Sequence, residues 1–70
     1  MKRQRKVNLV FSRRLVALRQ ASGQTRYRLA KLAGISPQYV SKLEEGLSQP
    51  SWLVIQKLAV ALEIDVTSFE

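Results

Sequence analysis

The chain has 70 residues, which is enough for one small domain with a single hydrophobic core. It contains neither cysteine nor histidine, which excludes disulfides, thiolate metal sites and the commonest general base of enzymes. No apolar run is long enough to span a bilayer, and no secretory h-region follows the basic N-terminus, so we expect a cytoplasmic protein.

The net charge of +7 is distributed unevenly along the chain. All 5 acidic residues lie at or after Glu44, whereas ten of the 12 basic residues precede Gly34. A cationic field of this kind attracts polyanions, and nucleic acid is the commonest polyanion that a small protein meets. A solubility charge is the alternative, and it explains the absence of acids from the first half of the chain less well.

The first seven residues, MKRQRKV, hold four basic side chains and little that could pack. We therefore predict a basic, disordered arm over residues 1–8 and a single domain over residues 9–70, without repeats or linkers. The arm could reach a nucleic-acid groove or backbone, and a solubility tail is an equal alternative.

Two helices are predicted first in the domain. Apolar side chains three and four residues apart predict a helix from Leu9 to Ser22, and Gly23 is suited to ending it. Thr25 as N-cap and Gly34 as C-terminal stop predict a second, short helix from Arg26 to Ala33.

The third helix has the clearest start. Ser36 can cap its free amides, and Pro37 at the first helical position loses no donor that the helix needs. This helix is predicted to run from Pro37 to Glu45, where Gly46 ends it.

A fourth helix is predicted from the Ser51 cap to Leu62, and Asp65 can cap a last short turn that returns Phe69 to the core. Five helices with short connections and no strand pattern predict a compact all-α fold. The expected inward face of the fourth helix comprises Trp52, Ile55, Leu58, Ala59 and Leu62.

Residues 26 to 46, RYRLAKLAGISPQYVSKLEEG, have the pattern of two short helices that cross steeply at a tight turn. With LR and a glycine before this stretch, and PS and LAVALEI after it, the sequence resembles the Cro/C1 repressor-type (XRE) helix-turn-helix family from about Leu15 to Phe69. The resemblance implies a five-helix, lambda-repressor-like domain that binds operator DNA, usually as a homodimer, with the third helix in the major groove.

The side of helix three that the core does not need is polar. Gln38 and Lys42 lie four residues apart and point the same way, so they are the leading candidates for reading bases. Glutamine can pair with adenine, and lysine can reach the acceptors of guanine. Tyr39 and Ser41 are lesser candidates, and an ordinary solvated helix face is the alternative.

Two arginines, Arg26 and Arg28, fall in the first turn of helix two, where a cation opposes the helix dipole. A compensating phosphate contact is therefore expected, with solvated charge as the alternative. The resemblance adds a backbone-binding role for Arg26 and for the loop after helix three. The complete set of phosphate candidates is Thr25, Arg26, Arg28, Ser36, Ser48 and Gln49.

The resemblance also implies a partly buried ion pair between Arg19 and Glu44 that joins helix one to the end of helix three. In helix four, Leu53, Val54 and Val60 are apolar where the family pattern tends to be polar. They predict a dimer or partner surface, although scattered surface apolar residues are an equal alternative.

The favoured function is sequence-specific binding of double-stranded DNA by a bacterial or phage transcriptional regulator, of repressor type, associated with the nucleoid. An enzyme is not expected, because no plausible nucleophile, base or phosphate-binding glycine loop is present. We also expect no cofactor, metal or small-molecule ligand. A protein-binding adaptor or antitoxin-like module acting through helix four is the main alternative, and a membrane role for the arm is weak.

Overall fold

The computed structural model describes residues 9–70, so the basic arm predicted over residues 1–8 lies outside it. No strand occurs in the described residues, and no helix among them is both long and apolar enough to cross a membrane. The elements are α1 (Leu9–Ala21), α2 (Arg26–Ala33), α3 (Pro37–Glu44), α4 (Trp52–Leu62) and a 3-10 turn over Val66–Phe69.

The all-α prediction is confirmed, but the count differs from the five helices predicted, because the last element is a single 3-10 turn. Only a few residues follow the Asp65 cap, too few for a regular α-helix. The Asp65 carboxylate accepts hydrogen bonds from the backbone N–H and the hydroxyl of Thr67, at 3.0 and 3.1 Å. These bonds lower the pKa of Asp65 below its ordinary value.

Hydroxyl side chains begin three of the helices, as predicted. Thr25, Ser36 and Ser51 each accept a hydrogen bond from the amide three residues further along, at 3.0, 3.0 and 3.2 Å. An N-cap of this kind satisfies one of the amides that the first helical turn leaves without a partner. The starts of α2, α3 and α4 are therefore encoded locally.

The core contains at least one fully buried side chain from every α-helix. Leu15 of α1, Leu29 of α2, Val40 and Leu43 of α3 and Leu58 of α4 have no exposed surface. The 3-10 turn completes the core by bringing the ring of Phe69 to 5.0 Å from that of Phe11, measured between ring centroids. Because α2 packs against α3 and α4, and α3 also packs against α1, one core supports the whole domain.

Two residues of α4 depart from their predicted positions. Trp52, expected on the inward face, is 61% exposed. It is the first residue of the helix, and helical side chains tilt toward the N-terminus, so its ring extends past the packed turns. Val54, expected on a partner surface, is half-buried against the core, because it lies one turn before buried Leu58.

Helix α4 ends at Leu62, and the next residue, Glu63, has a φ of 59° that places it in the left-handed region. This conformation costs an L-residue about 1–2 kcal/mol and glycine almost nothing, although glycine also loses about 0.5–1 kcal/mol of chain entropy on folding. Gly34 adopts the same conformation at the end of α2, with a φ of 74°. The left-handed position is therefore filled by glycine after α2 and by glutamate after α4.

We predict that Glu63→Gly raises the free energy of unfolding by about 0.5–1 kcal/mol, because it relieves the left-handed strain. Urea unfolding followed by circular dichroism measures this change. Glu63→Ala is the matched control, since it removes the same charge and keeps the strain. A gain as large in the alanine variant would show that charge, and not backbone conformation, is responsible.

Candidate nucleic-acid interface

Helices α2 and α3 form a helix-turn-helix with a turn of three residues, Gly34 to Ser36. The left-handed Gly34 reverses the chain, and the Ile35 amide donates to the carbonyl of Ala30 at 3.0 Å. Val40 anchors the inner side of α3 in the core. The opposite side of α3 is therefore presented outward on a rigid support.

The outer side of α3 carries the predicted base readers. Gln38 and Lys42 are exposed, and within residues 9–70 neither side chain forms a hydrogen bond or an ion pair. Ser41 is half-buried beside them, and its hydroxyl accepts a hydrogen bond from Arg26. Tyr39 is half-buried and packs against the core, which leaves less of its ring available to a ligand.

A buried ionic cluster joins α3 to the two helices before it. The Glu44 side chain has 0% exposure, and Arg19, with 14%, contacts both of its oxygens. The distances are 2.5 Å from Arg19 Nε to Oε2 and 3.2 Å from Nη2 to Oε1. Arg19 Nη1 also donates to the Gln24 carbonyl at 2.9 Å. The expected pair of Arg19 and Glu44 is thus present, with Gln24 as a further partner.

Arg26 is a second cationic partner of the same carboxylate, which the sequence analysis missed. Its Nε donates to Glu44 Oε1 at 2.8 Å, and its Nη1 lies 3.3 Å from Ser41 Oγ and 3.8 Å from Glu45 Oε2. The available cue was a cation in the first turn of a helix, which needs an anion nearby. We expected a phosphate there, and the chain itself supplies carboxylates.

The remaining phosphate candidates lie at the start of α2, at the start of α3 and in the loop after α3. Thr25 and Ser36 act as N-caps through their oxygens, and Arg28 is exposed in the first turn of α2. In the loop between α3 and α4, Ser48 is half-buried and Gln49 is exposed. Polar groups therefore flank the outer side of α3 before and after it along the chain.

A separate apolar surface lies away from α3. Leu53 and Val60, seven residues apart in α4, are 58% and 77% exposed. Exposed Leu32 of α2 and Val60 line an open groove of about 250 Å³ together with Ala33, Gln56 and Lys57. Helices α2 and α4 thus share an apolar groove that no described residue fills.

With four α-helices in residues 9–70, a tight helix-turn-helix whose second helix is polar and exposed, and a large excess of basic residues, this is a DNA-binding domain of the regulator class. The family model described as a helix-turn-helix domain matches residues 10–69. The chain belongs to this family and is a Cro/C1-type helix-turn-helix domain, a DNA-binding protein of transcription regulation and not an enzyme.

Solved structures agree with this assignment. The chain is 37% identical to the restriction-modification controller protein C.AhdI from Aeromonas hydrophila, with a TM-score of 0.87 over 89% of this chain and 94% of that one. It is 28% identical to a helix-turn-helix family transcriptional regulator from Vibrio cholerae, with a TM-score of 0.85 over 87% of this chain and 34% of that one. It is 26% identical to the clp gene regulator ClgR from Corynebacterium glutamicum, with a TM-score of 0.85 over 94% of this chain and 86% of that one. No curated protein sequence matches the chain.

We predict that Arg19→Ala lowers the free energy of unfolding by about 2–3 kcal/mol, somewhat less than for a carboxylate left with no partner, because Arg26 still contacts Glu44. Arg13→Ala is the control, since Arg13 is exposed on the same helix. The Arg13→Ala substitution should change the free energy of unfolding by no more than about 0.5 kcal/mol. Thermal unfolding checks both variants, and equal melting temperatures would contradict a stabilising role for the buried pair.

Proposed function

We propose that the chain reads a specific operator in duplex DNA by inserting α3 into the major groove, and that it represses transcription from the promoter it occupies. The observation that carries this proposal is the outer side of α3, where Gln38 and Lys42 are exposed with no protein partner in residues 9–70. Similarity to a restriction-modification controller protein supports a regulatory role.

Affinity in this proposal comes from the phosphates on either side of the groove. The N-terminal turns of α2 and α3 offer amides and the hydroxyls of Thr25 and Ser36, and such turns favour anions. Arg28 adds an exposed cation. The loop after α3 would contact the backbone through Ser48 and Gln49, both of them neutral.

Selection of bound sites from random duplexes tests the proposal directly. The expected result is one recurring sequence with two related halves, because a dimer places two copies of α3 in successive major grooves. Recovery of no preferred sequence would contradict operator reading. Repression is tested by placing the selected site in a reporter promoter, where expression of the protein should lower transcription.

We predict that Gln38→Ala and Lys42→Ala each reduce discrimination at the base pairs they read by about 1–3 kcal/mol. Competition binding between the selected site and single-base variants measures this loss. Gln20→Ala and Lys31→Ala are matched controls, since they remove the same side chains from exposed positions in α1 and α2. If the controls relax the preference equally, reading does not depend on the outer side of α3.

We further propose that the chain binds DNA as a homodimer through the apolar surface formed by Leu32, Leu53 and Val60. Covering this exposed apolar surface with a second surface is favourable, because each Å² of apolar area removed from water contributes about 25 cal/mol of free energy. Two copies related by a two-fold axis would place the same groove against itself.

Substituting Leu53→Gln together with Val60→Gln should raise the dimer dissociation constant at least about tenfold, because burying one such side chain contributes about 1.5–3 kcal/mol. Analytical ultracentrifugation without DNA measures this constant. Leu47→Gln is the control, since Leu47 is equally exposed but lies in the loop before α4. A wild-type protein that is monomeric at all concentrations would contradict the homodimer and favour the adaptor alternative.

A further inference from the structure

The guanidinium of Arg26 connects the buried cluster with the outer side of α3. Its Nε donates a hydrogen bond to Glu44 Oε1 at 2.8 Å, and its Nη1 donates one to Ser41 Oγ at 3.3 Å. Within residues 9–70, no hydrogen bond involves its Nη2, and the side chain is 41% exposed. Two of its three nitrogens therefore hold α3, and the third is left for an acceptor outside the described residues.

The contact with Arg26 also determines how the Ser41 hydroxyl can be used. A guanidinium has only donors, so Ser41 Oγ must accept this bond and its own hydrogen must point elsewhere. Within residues 9–70 the Ser41 hydroxyl donates no hydrogen bond, not even to a carbonyl of the preceding helical turn. The hydroxyl is thus held as a donor with no partner in the described structure.

The position of Ser41 places this donor at the border of the reading surface. Ser41 directly precedes Lys42 and lies three residues after Gln38, so it shares their side of α3 in part. Guanine N7 and O6, adenine N7 and thymine O4 are the acceptors that the major groove presents to such a donor.

We propose that Arg26 is a positioning residue for sequence reading, one that holds the Ser41 hydroxyl as a hydrogen-bond donor toward one base pair while Glu44 anchors the guanidinium. This inference rests on the proposed function, in which α3 reads duplex DNA. The preference at that base pair depends on Arg26 although Arg26 contacts no base. Lysine cannot replace it, because a single ammonium lacks the planar fork that reaches two acceptors on α3 at once.

The test compares wild type, Arg26→Lys, Ser41→Ala and the double variant. For each protein, binding is measured to the selected operator, to its single-base variants and to a random duplex at one salt concentration. Arg26→Lys should reduce preference about tenfold at one base pair, the same one that Ser41→Ala affects. Its affinity for the random duplex should stay within about threefold, because the charge is kept.

The double variant should lose no more preference at that base pair than the stronger single variant, since both changes remove one contact. Arg13→Lys is the matched control, an exposed arginine of α1 without a side-chain hydrogen bond or ion pair to α3 in residues 9–70. It should leave every position unchanged. Thermal unfolding of each variant measures its stability. If Arg26→Lys does not fold, Ser41→Ala, at a half-buried surface position, tests the same contact.

Three results would overturn the inference. They are an unchanged preference in Arg26→Lys or Ser41→Ala, losses that add in the double variant, and a loss spread evenly over all base pairs, which indicates a merely structural role. These results leave the proposed function intact, because wild type still selects a site. A wild-type protein that selects no site would instead overturn the proposed function, and this inference with it.

Discussion

The buried carboxylate of Glu44 lies where α1, α2 and α3 meet. The orientation of α3 depends on the cationic groups that compensate its charge. Withdrawing a carboxylate from water costs several kcal/mol unless cationic donors replace the lost hydration. Arg19 from α1 and Arg26 from α2 supply those donors to Glu44, the last residue of α3. The same three groups therefore join α1 to the two helices of the helix-turn-helix.

Apolar packing alone would constrain α3 less strictly. The burial of Val40 and Leu43 stabilises the helix against the core, but hydrophobic attraction has no direction and tolerates small rotations. Hydrogen bonds to Glu44 weaken steeply with misalignment, so they restrict the rotation of α3 about its axis. The outward direction of Gln38 and Lys42 thus follows from a polar contact on the opposite side of the helix.

Features encoded by neighbouring residues could be predicted from the sequence, whereas contacts between distant ones could not. The caps at Thr25, Ser36 and Ser51 act within one turn, and every α-helix boundary was predicted to within one residue. The partner of Arg26 depends on the crossing of α2 over α3, which brings together residues 18 positions apart. The cation at the start of α2 indicated that an anion should lie nearby, and the carboxylate of Glu44 is one such anion.

The sharing of Glu44 between two arginines has a consequence for how such a regulator can diversify. Arg19 is nearly buried and contacts both carboxylate oxygens, whereas Arg26 is more exposed and contacts one. A lineage can therefore replace Arg26 while Arg19 keeps the buried charge compensated and the domain folded. The preferred DNA sequence can then change gradually during evolution, because it depends on Arg26, whereas the stability of the fold depends on Arg19.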